Sequence, residues 1–431
     1  MNDAIDPVQR TVDDLYKTHY GKIVSVLLTN FPDIPLESVE DAVHDAFAAA
    51  LTAWAAGTHP ASTIPSNPIP SNSISSNSIP SNPPGWIYTV CRNKMINLLR
   101  EGQRLRPLPD QHAGVEPNFD GPSSTFKDQQ LNLLFSCAHP DLSPKVQVVI
   151  TLKYVANLKT AAIAQALGMT EDGIDKLLFR AKKKIREEKL FLLDPGGLTG
   201  LHHRLPTVHK IIYLIFNEGY KPSSGDEAVN EAMCEEALLL CKDILDLGHG
   251  DTATRALYAL MLFNAARFGG RLSPSGELLD LDEQDRSLWN RPMIVLAGDF
   301  LRQSRSTHLS SYHYEAGIAW LHCSADSFAG TNWRLISRLY LRLLRMNPNP
   351  FVELNYAIAL YYAGGKAKAF EILEGLLHQP FMNGYYLLNA ALGKLYMLEG
   401  DAARAKQFFA RTLEQTTHPL EVAFIHRLSP P

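Results

Sequence analysis

The sequence predicts an all-α fold, and three observations carry that expectation. Apolar residues recur at intervals near 3.6 over most of the chain, and no stretch alternates apolar with polar residues as a half-buried strand does. Two segments near the end also repeat with the pattern of helical hairpins. Taken in order, DDLYKTHYGKIVSVLL (13–28) and LESVEDAVHDAFAAALTAW (36–54) both show helical spacing. In the second, Leu36, Val39, Val43, Phe47, Ala50 and Trp54 fall on one stripe, and Glu37, Glu40 and Asp41 give the acidic first turn that suits a helix N-terminus. Residues 64–83 then read IPSNPIPSNSISSNSIPSNP, one five-residue unit four times over. Its Pro and Asn-Pro steps break helices, and its Ser and Asn side chains compete for backbone hydrogen bonds, so no packed element is expected there.

PPGWIYTVCRNKMINLLREGQR (83–104) predicts a further helix, with Trp86, Val90, Ile96 and Leu99 apolar and the bases on the other side. A Pro-, Gly- and Asp-containing loop follows at 107–124. Helices resume with FKDQQLNLLFSCAHPDL and SPKVQVVITLKYVANL, then two shorter ones, and nearly everything from 198 to 425 reads helical. In NYAIALYYAGGKAKAFEIL and NAALGKLYMLEGDAARAKQFF, Ala357 and Gly393, Ala369 and Ala405, Leu373 and Phe409 match at a separation of 36. Small residues at such points let paired helices pack closely, and the period resembles the tetratricopeptide repeat. The second copy matches better, through Leu392, Gly393, Tyr396, Gly400, Ala405 and Phe409. Two copies are too few to stand alone, so they are expected to cap a larger helical array over 200–345.

At 431 residues the chain exceeds one ordinary core, and two to four domains are expected. With 45% hydrophobic and 20% charged residues it has the make-up of a soluble globular protein. No apolar run reaches 18 residues, so no membrane span is expected. The start, MNDAIDPVQRTVDDLY, lacks the basic region and apolar centre of a signal peptide, and a cytoplasmic location is expected. Cys91, Cys137, Cys234, Cys241 and Cys323 form no CxxC pair and read as buried thiols. Cys234 and Cys241 can share a helix face, where core thiols are favoured over a metal or redox pair. His202 and His203 are adjacent, a poor spacing for metal ligands. With no nucleophile–base pair in view, neither an enzyme nor a cofactor is expected. Glu218 in FNEGY and the Asp285-Arg286 pair are unusual for a helical array. They read as an internal ion pair or cap, or as the lining of a ligand or partner pocket.

The net charge of −4 conceals an asymmetry. Residues 1–57 hold nine acids and three bases, whereas 86–106 hold five bases and one acid, and 176–189 seven bases and two acids. Each basic stretch is suited to a polyanion, although a solvated helix face is the commoner meaning of either alone. The second lies in LKTAAIAQALGMTEDGIDKLLFRAKKKIREE (158–188). Ile163 and Leu167 share a face, Gly168 turns the chain, and Thr170 caps the next helix with Glu171 just inside it. Ile174, Leu177 or Leu178, Ala181 and Ile185 make that helix's inner stripe, while Lys176, Arg180, Lys183 and Lys184 lie elsewhere around it. A short helix, a turn and a capped basic helix form the helix-turn-helix pattern that enters a DNA major groove; an ordinary helical hairpin is the alternative. In the first stretch, Asn93, Asn97 and Arg100 are spaced i, i+4, i+7 beside Arg92 and Lys94. Trp86 and Tyr88 stand at its start, either as core anchors or as platforms for an unpaired base.

Together, EDAVHDAFAAALTAW, WIYTVCRNKMINLLR and the 158–188 unit resemble regions 2 and 4 of an extracytoplasmic-function sigma factor of bacterial RNA polymerase. LPTVHKIIYLIFNEGY (205–220) and LDEQDRSLWNR (281–291) are similar to a subgroup with a long helical C-terminal extension bearing tetratricopeptide-like repeats. The resemblance implies a core RNA polymerase partner for Asp41, Asp45 and Phe47. It implies promoter contacts at the −10 element for Trp86, Arg92, Asn93, Lys94, Asn97 and Arg100. At the −35 element it implies Thr170, Glu171, Lys176, Arg180, Lys183 and Lys184. The family usually carries Asp where Asn97 stands and often Arg where Leu177 stands, and Asp175 is acidic where a neutral or basic residue is common.

The expected layout is region 2 over 1–106 with an insert at 58–84, a linker at 107–124, region 4 over 125–190, a helical extension over 195–345 and repeats over 346–431. The insert interrupts region 2 rather than separating two domains. The expected function is promoter-directed transcription initiation, with the extension regulating or supporting it through a protein or small-ligand partner. A helical protein-binding scaffold with a vestigial DNA-binding half is the alternative.

Overall fold

The computed structural model describes residues 7–31, 34–56, 79–102, 124–167, 169–188, 201–222, 228–416 and 418–429. Residues 64–78 of the pentapeptide repeat, the loop at 107–123 and the Gly168 turn lie outside them. Among the described residues the fold is all-α, without a β-strand; an isolated antiparallel bridge joins Leu272 and Leu278. None of the described helices is long and apolar enough to cross a membrane. Two compact units divide the chain, Met1–Ile211 and Ile212–Pro431.

The first unit contains α1 (Pro7–Asn30), α2 (Leu36–Ala55), α3 (Pro83–Gly102), α4 (Ser124–Cys137), α5 (Pro144–Tyr154), α6 (Thr160–Leu167) and α7 (Glu171–Glu187). Helix α1 packs against α2, α3 and α4, and also meets α5; α7 packs on α5 and α6. All six apolar residues expected on the inner stripe of α2 are buried, with Trp54 at 0% exposure. Fully burying a large side chain of this kind contributes roughly 1.5–3 kcal/mol. The inner face of α3 differs from the sequence expectation. Ile87, Tyr88, Cys91 and Met95 are buried, while Trp86, Val90, Ile96 and Leu99 are only half-buried. The stripe is displaced because Tyr88 and Cys91 bond inward: Asn30 Nδ2 donates to Tyr88 Oη at 3.0 Å, and Cys91 Sγ to the Ala42 carbonyl at 3.6 Å. Where α1 passes the end of α5, the chain approaches so closely that a Cβ on Gly21 would stand 2.3 Å from the Val155 carbonyl oxygen.

In the second unit, which begins within α8 (Leu205–Tyr220), α9 (Glu231–Asp246) is capped by Asn230. Helix α10 (Thr252–Ala265) is capped by an Asp251–Thr254 capping box and is apolar nearly all round, so it is enclosed by α9, α11 (Arg291–Gln303) and α12 (Ser311–Ser324). Four further helices of hairpin form follow: α13 (Trp333–Met346), α14 (Pro350–Tyr362), α15 (Lys366–Leu376) and, after the short α16 (Pro380–Asn383), α17 (Tyr386–Leu398). Helices α18 (Ala402–Gln415) and α19 (Pro419–Leu428) complete the unit. At the 36-residue matches, Ala357, Ala369 and Ala405 are 0% exposed. A Cβ on Gly393 would stand 2.7 Å from Phe409 Cε1, so the small residue admits the facing ring. The segment between α10 and α11 reaches the C-terminal helices through ion pairs, Lys394 with Asp280 and Asp282 and Arg427 with Glu283. Burial opposes the charge on Lys394, but the two carboxylates outweigh it and raise its pKa.

Asp285 and Arg286 are structural. Asp285 accepts from Ser287 N at 2.8 Å, and buried Arg286 donates to the carbonyls of His322 and Ala325 at 2.6 and 2.7 Å. Cys234 and Cys241 bond to different neighbours, the carbonyls of Phe216 and Thr254, and burial raises both thiols.

His322 is expected to make this unit acid-sensitive. Its ring meets Trp333 edge-on at 5.2 Å, and its Nδ1 is buried with no hydrogen-bond partner among the described residues. Burial, with the charges of Arg267 and Arg286, holds its pKa down at about 3. An unfolded histidine titrates near ~6.5, so between those values the unfolded chain binds the extra proton and the folded state loses stability as pH falls. A loss of about 2 kcal/mol is expected from this group between pH 7 and pH 5. Denaturant unfolding of the parent and of His322→Phe at both pH values tests it; an equal acid loss in the two proteins refutes it.

Candidate nucleic-acid interface

Helix α7 begins where sequence placed it. Thr170 adopts an extended N-cap conformation and its Oγ1 accepts from Gly173 N at 3.2 Å. Ile174, Leu178, Ala181 and Ile185 are buried, which selects Leu178 over Leu177 for the inner stripe. At about 100° per residue, the remaining positions sort into strips. Lys176, Arg180 and Lys183 lie on the strip opposite the core, all exposed, and Thr170 and Glu171 are exposed at the N-terminus of the helix. Phe179 stands among them, 69% exposed, a residue that sequence reasoning missed. An aromatic interrupting a basic face was the available signal. Lys176 pairs with Asp172 at 2.6 Å and Lys183 with Glu187 at 3.8 Å, both within one helix turn.

Lys184 borders that strip. It lies one turn beyond Arg180 and about 40° round the helix, but it is half-buried and its ammonium donates to the Asp141 carbonyl at 2.6 Å. On another strip, Lys182 and Arg186 reach acids of α2, Glu40 at 2.8 Å and Glu37 at 3.1 Å. Glu40 is 8% exposed and also accepts from Tyr154 Oη at 3.2 Å. Thr160 Oγ1 meets Asp175 at 3.4 Å, which turns that acid toward α6.

On α3, Asn93, Asn97 and Arg100 are exposed along one face, while Arg92 and Lys94 are half-buried. Lys94 pairs with Asp45 of α2, so one of the residues expected at DNA and one expected at polymerase hold each other. Trp86 is half-buried, its ring edge-on to Trp54 at 5.6 Å. Tyr88 is 4% exposed and is a core residue, not a stacking platform. Asp41 and Asp45 are exposed one turn apart, but Phe47 is 4% exposed and packs edge-on against Tyr16 at 5.0 Å. A surface role for Phe47 is therefore corrected: it falls on the same stripe as Val43 and Ala50 and belongs to the core.

Residues 133–185, from within α4 through α7, match the family described as "Sigma-70, region 4". Residues 204–305 match a "Family of unknown function (DUF6596)". The chain is 31% identical over 354 residues to "Uncharacterized protein R00370" of Rhizobium meliloti (strain 1021), covering 80% of this chain and 82% of that protein. The chain belongs to the family of that Rhizobium protein. No solved structure matches the chain significantly. Within this family's chain, the region 4 match supports a sigma-70-family factor with a DNA-binding role. It falls on the segment whose capped helix exposes Lys176, Arg180 and Lys183.

Proposed function

We propose that the protein is a sigma factor of the extracytoplasmic-function type, which binds core RNA polymerase, directs it to promoters and catalyses no reaction itself. Helix α7 enters the −35 major groove with Thr170 and Glu171 leading. Lys176, Arg180 and Lys183 meet phosphates or guanine edges there, and Phe179 is placed for an apolar contact such as a thymine methyl. Helix α3 faces the −10 element with Asn93, Asn97 and Arg100, flanked by Trp86, Arg92 and Lys94. Asp41 and Asp45 face polymerase. The helices beyond residue 195 form a tetratricopeptide-like extension that regulates or supports initiation through a protein or small-ligand partner, and the protein works in the cytoplasm. Domain limits near residues 106, 125, 190, 195 and 346 belong to the same proposal.

One observation carries the reading: a side-chain-capped helix exposes Lys176, Arg180 and Lys183 on the strip opposite the core, and all three lie inside the region 4 match. In vitro transcription with core polymerase tests it, using the full-length protein and a chain ending at residue 195. Promoter-dependent transcripts from the full-length protein are expected. Their absence, together with failure to bind core polymerase, overturns the proposal.

A further inference from the structure

We infer that α13 is a second DNA-contacting element, whose arginines bind the phosphate backbone of a duplex. The helix reads WRLISRLYLRLLRM, and Arg334, Arg338, Arg342 and Arg345 recur at i, i+4, i+8 and i+11. At about 100° and 1.5 Å per residue they fall within an arc of about 80° and form a row about 17 Å long. Ile336 and Leu343 are buried on the opposite side and Ser337 on one flank, and α12 and α14 pack on the helix, so the arginine row faces outward.

All four arginines are exposed. The helix contains no Asp or Glu, and among the described residues no acid pairs with any of the four. Several surface cations of neighbouring helices do find acids, Lys242 with Asp246, Lys368 with Glu371 and Arg404 with Asp401, whereas none of the four in this row does. An ordinary solvated face intersperses the two signs. Here a chain of net charge −4 keeps four like charges together, at the cost of mutual repulsion.

The spacing suits one polyanion above others. Duplex DNA carries a charge every ~1.7 Å of its axis, so a row of this length lies beside about ten phosphates, and each guanidinium fork can bind phosphate oxygens in pairs. Acidic protein surfaces offer fewer and less regular charges. The row lies outside both matched spans, 133–185 and 204–305. The inference rests on the chain's handling DNA, and it adds a sequence-independent contact from the second unit.

Full-length protein and a random 40-base-pair duplex, titrated by fluorescence anisotropy over a range of KCl concentrations, test it. Arg→Gln at all four positions is expected to flatten the log–log salt slope by about 3 to 4, since each phosphate contact contributes about 0.9. Arg→Lys at the same positions keeps the charges and is expected to keep the slope. A Gln variant that melts like the parent and retains its slope to within about 0.5 overturns the inference, as does a Lys variant that falls as far as the Gln variant. Loss of polymerase binding with an unchanged DNA slope also overturns it, in favour of an acidic protein partner. The outcomes separate this inference from the sigma-factor reading. Normal transcription with an unaltered slope sinks only α13, and a flattened slope in a protein that gives no transcript sinks only the sigma-factor reading.

Discussion

Gly21→Ala is expected to destabilise the first unit by about 2 kcal/mol, although alanine is the better helix former by up to ~1 kcal/mol. The added Cβ would lie 2.3 Å from the Val155 carbonyl oxygen, 3.1 Å from its carbon and 3.2 Å from the Tyr154 carbonyl oxygen. These are backbone atoms and cannot rotate aside, so α1 must move away from the end of α5. The chain there is already committed, because Asn157 holds a positive φ of 52° and its Nδ2 donates to the Tyr16 carbonyl at 3.0 Å. A melting point lower by about 4–8 °C is expected for a unit of this size. Gly298→Ala in α11 is the control, since a Cβ there meets nothing within 4 Å and helix propensity alone decides. Scanning calorimetry that shows Gly21→Ala stabilised like Gly298→Ala removes the argument.

Joint replacement of Lys176, Arg180 and Lys183 by Gln is expected to weaken promoter DNA binding by about a hundredfold near 0.1 M salt. The salt slope should fall by about 2 to 3, through three lost phosphate contacts. Stability should change little, because these side chains are exposed and their ion pairs are local. Lys184→Gln is the informative contrast. It sits one turn from Arg180, but its ammonium is engaged by the Asp141 carbonyl, so the DNA affinity should stay within about twofold. If the triple variant binds as the parent does, or Lys184→Gln proves as damaging, α7 does not meet DNA through this face.

The elements that sequence placed best are those with a single wet side. In α2, six apolar residues on one stripe have one available burial direction, and all six are buried. In α7 a cap, an apolar stripe and a basic strip agree, leaving only Leu177 against Leu178 undecided until packing chose. Helix α3 was harder because Tyr88 and Cys91 are amphipathic enough to suit either side, and their partners Asn30 and Ala42 lie 58 and 49 residues away. Phe47 was legible as core from its stripe; the family resemblance drew it to the surface. Which charges are spoken for could not be read locally at all. Arg186 meets Glu37 across 149 residues and Arg427 meets Glu283 across 144, whereas the arginines of α13 meet no acid among the described residues. Their spacing stands in the sequence, but their lack of partners is a property of the folded chain.

The seam in which α2 holds α7 sets a limit of reach. A compact body of about 200 residues has a radius of gyration near 17 Å and spans roughly 45 Å. Promoter elements centred about 25 base pairs apart lie about 85 Å apart on a straight duplex, at ~3.4 Å per base pair. On the proposed function, α3 and α7 therefore cannot occupy both elements while Glu37 and Glu40 grip Arg186 and Lys182. On that proposal, the first unit opens at this seam when it is extended on DNA. Glu40, nearly enclosed between Tyr154 and Lys182, then acts as a measure of how tightly the ruler is folded before use.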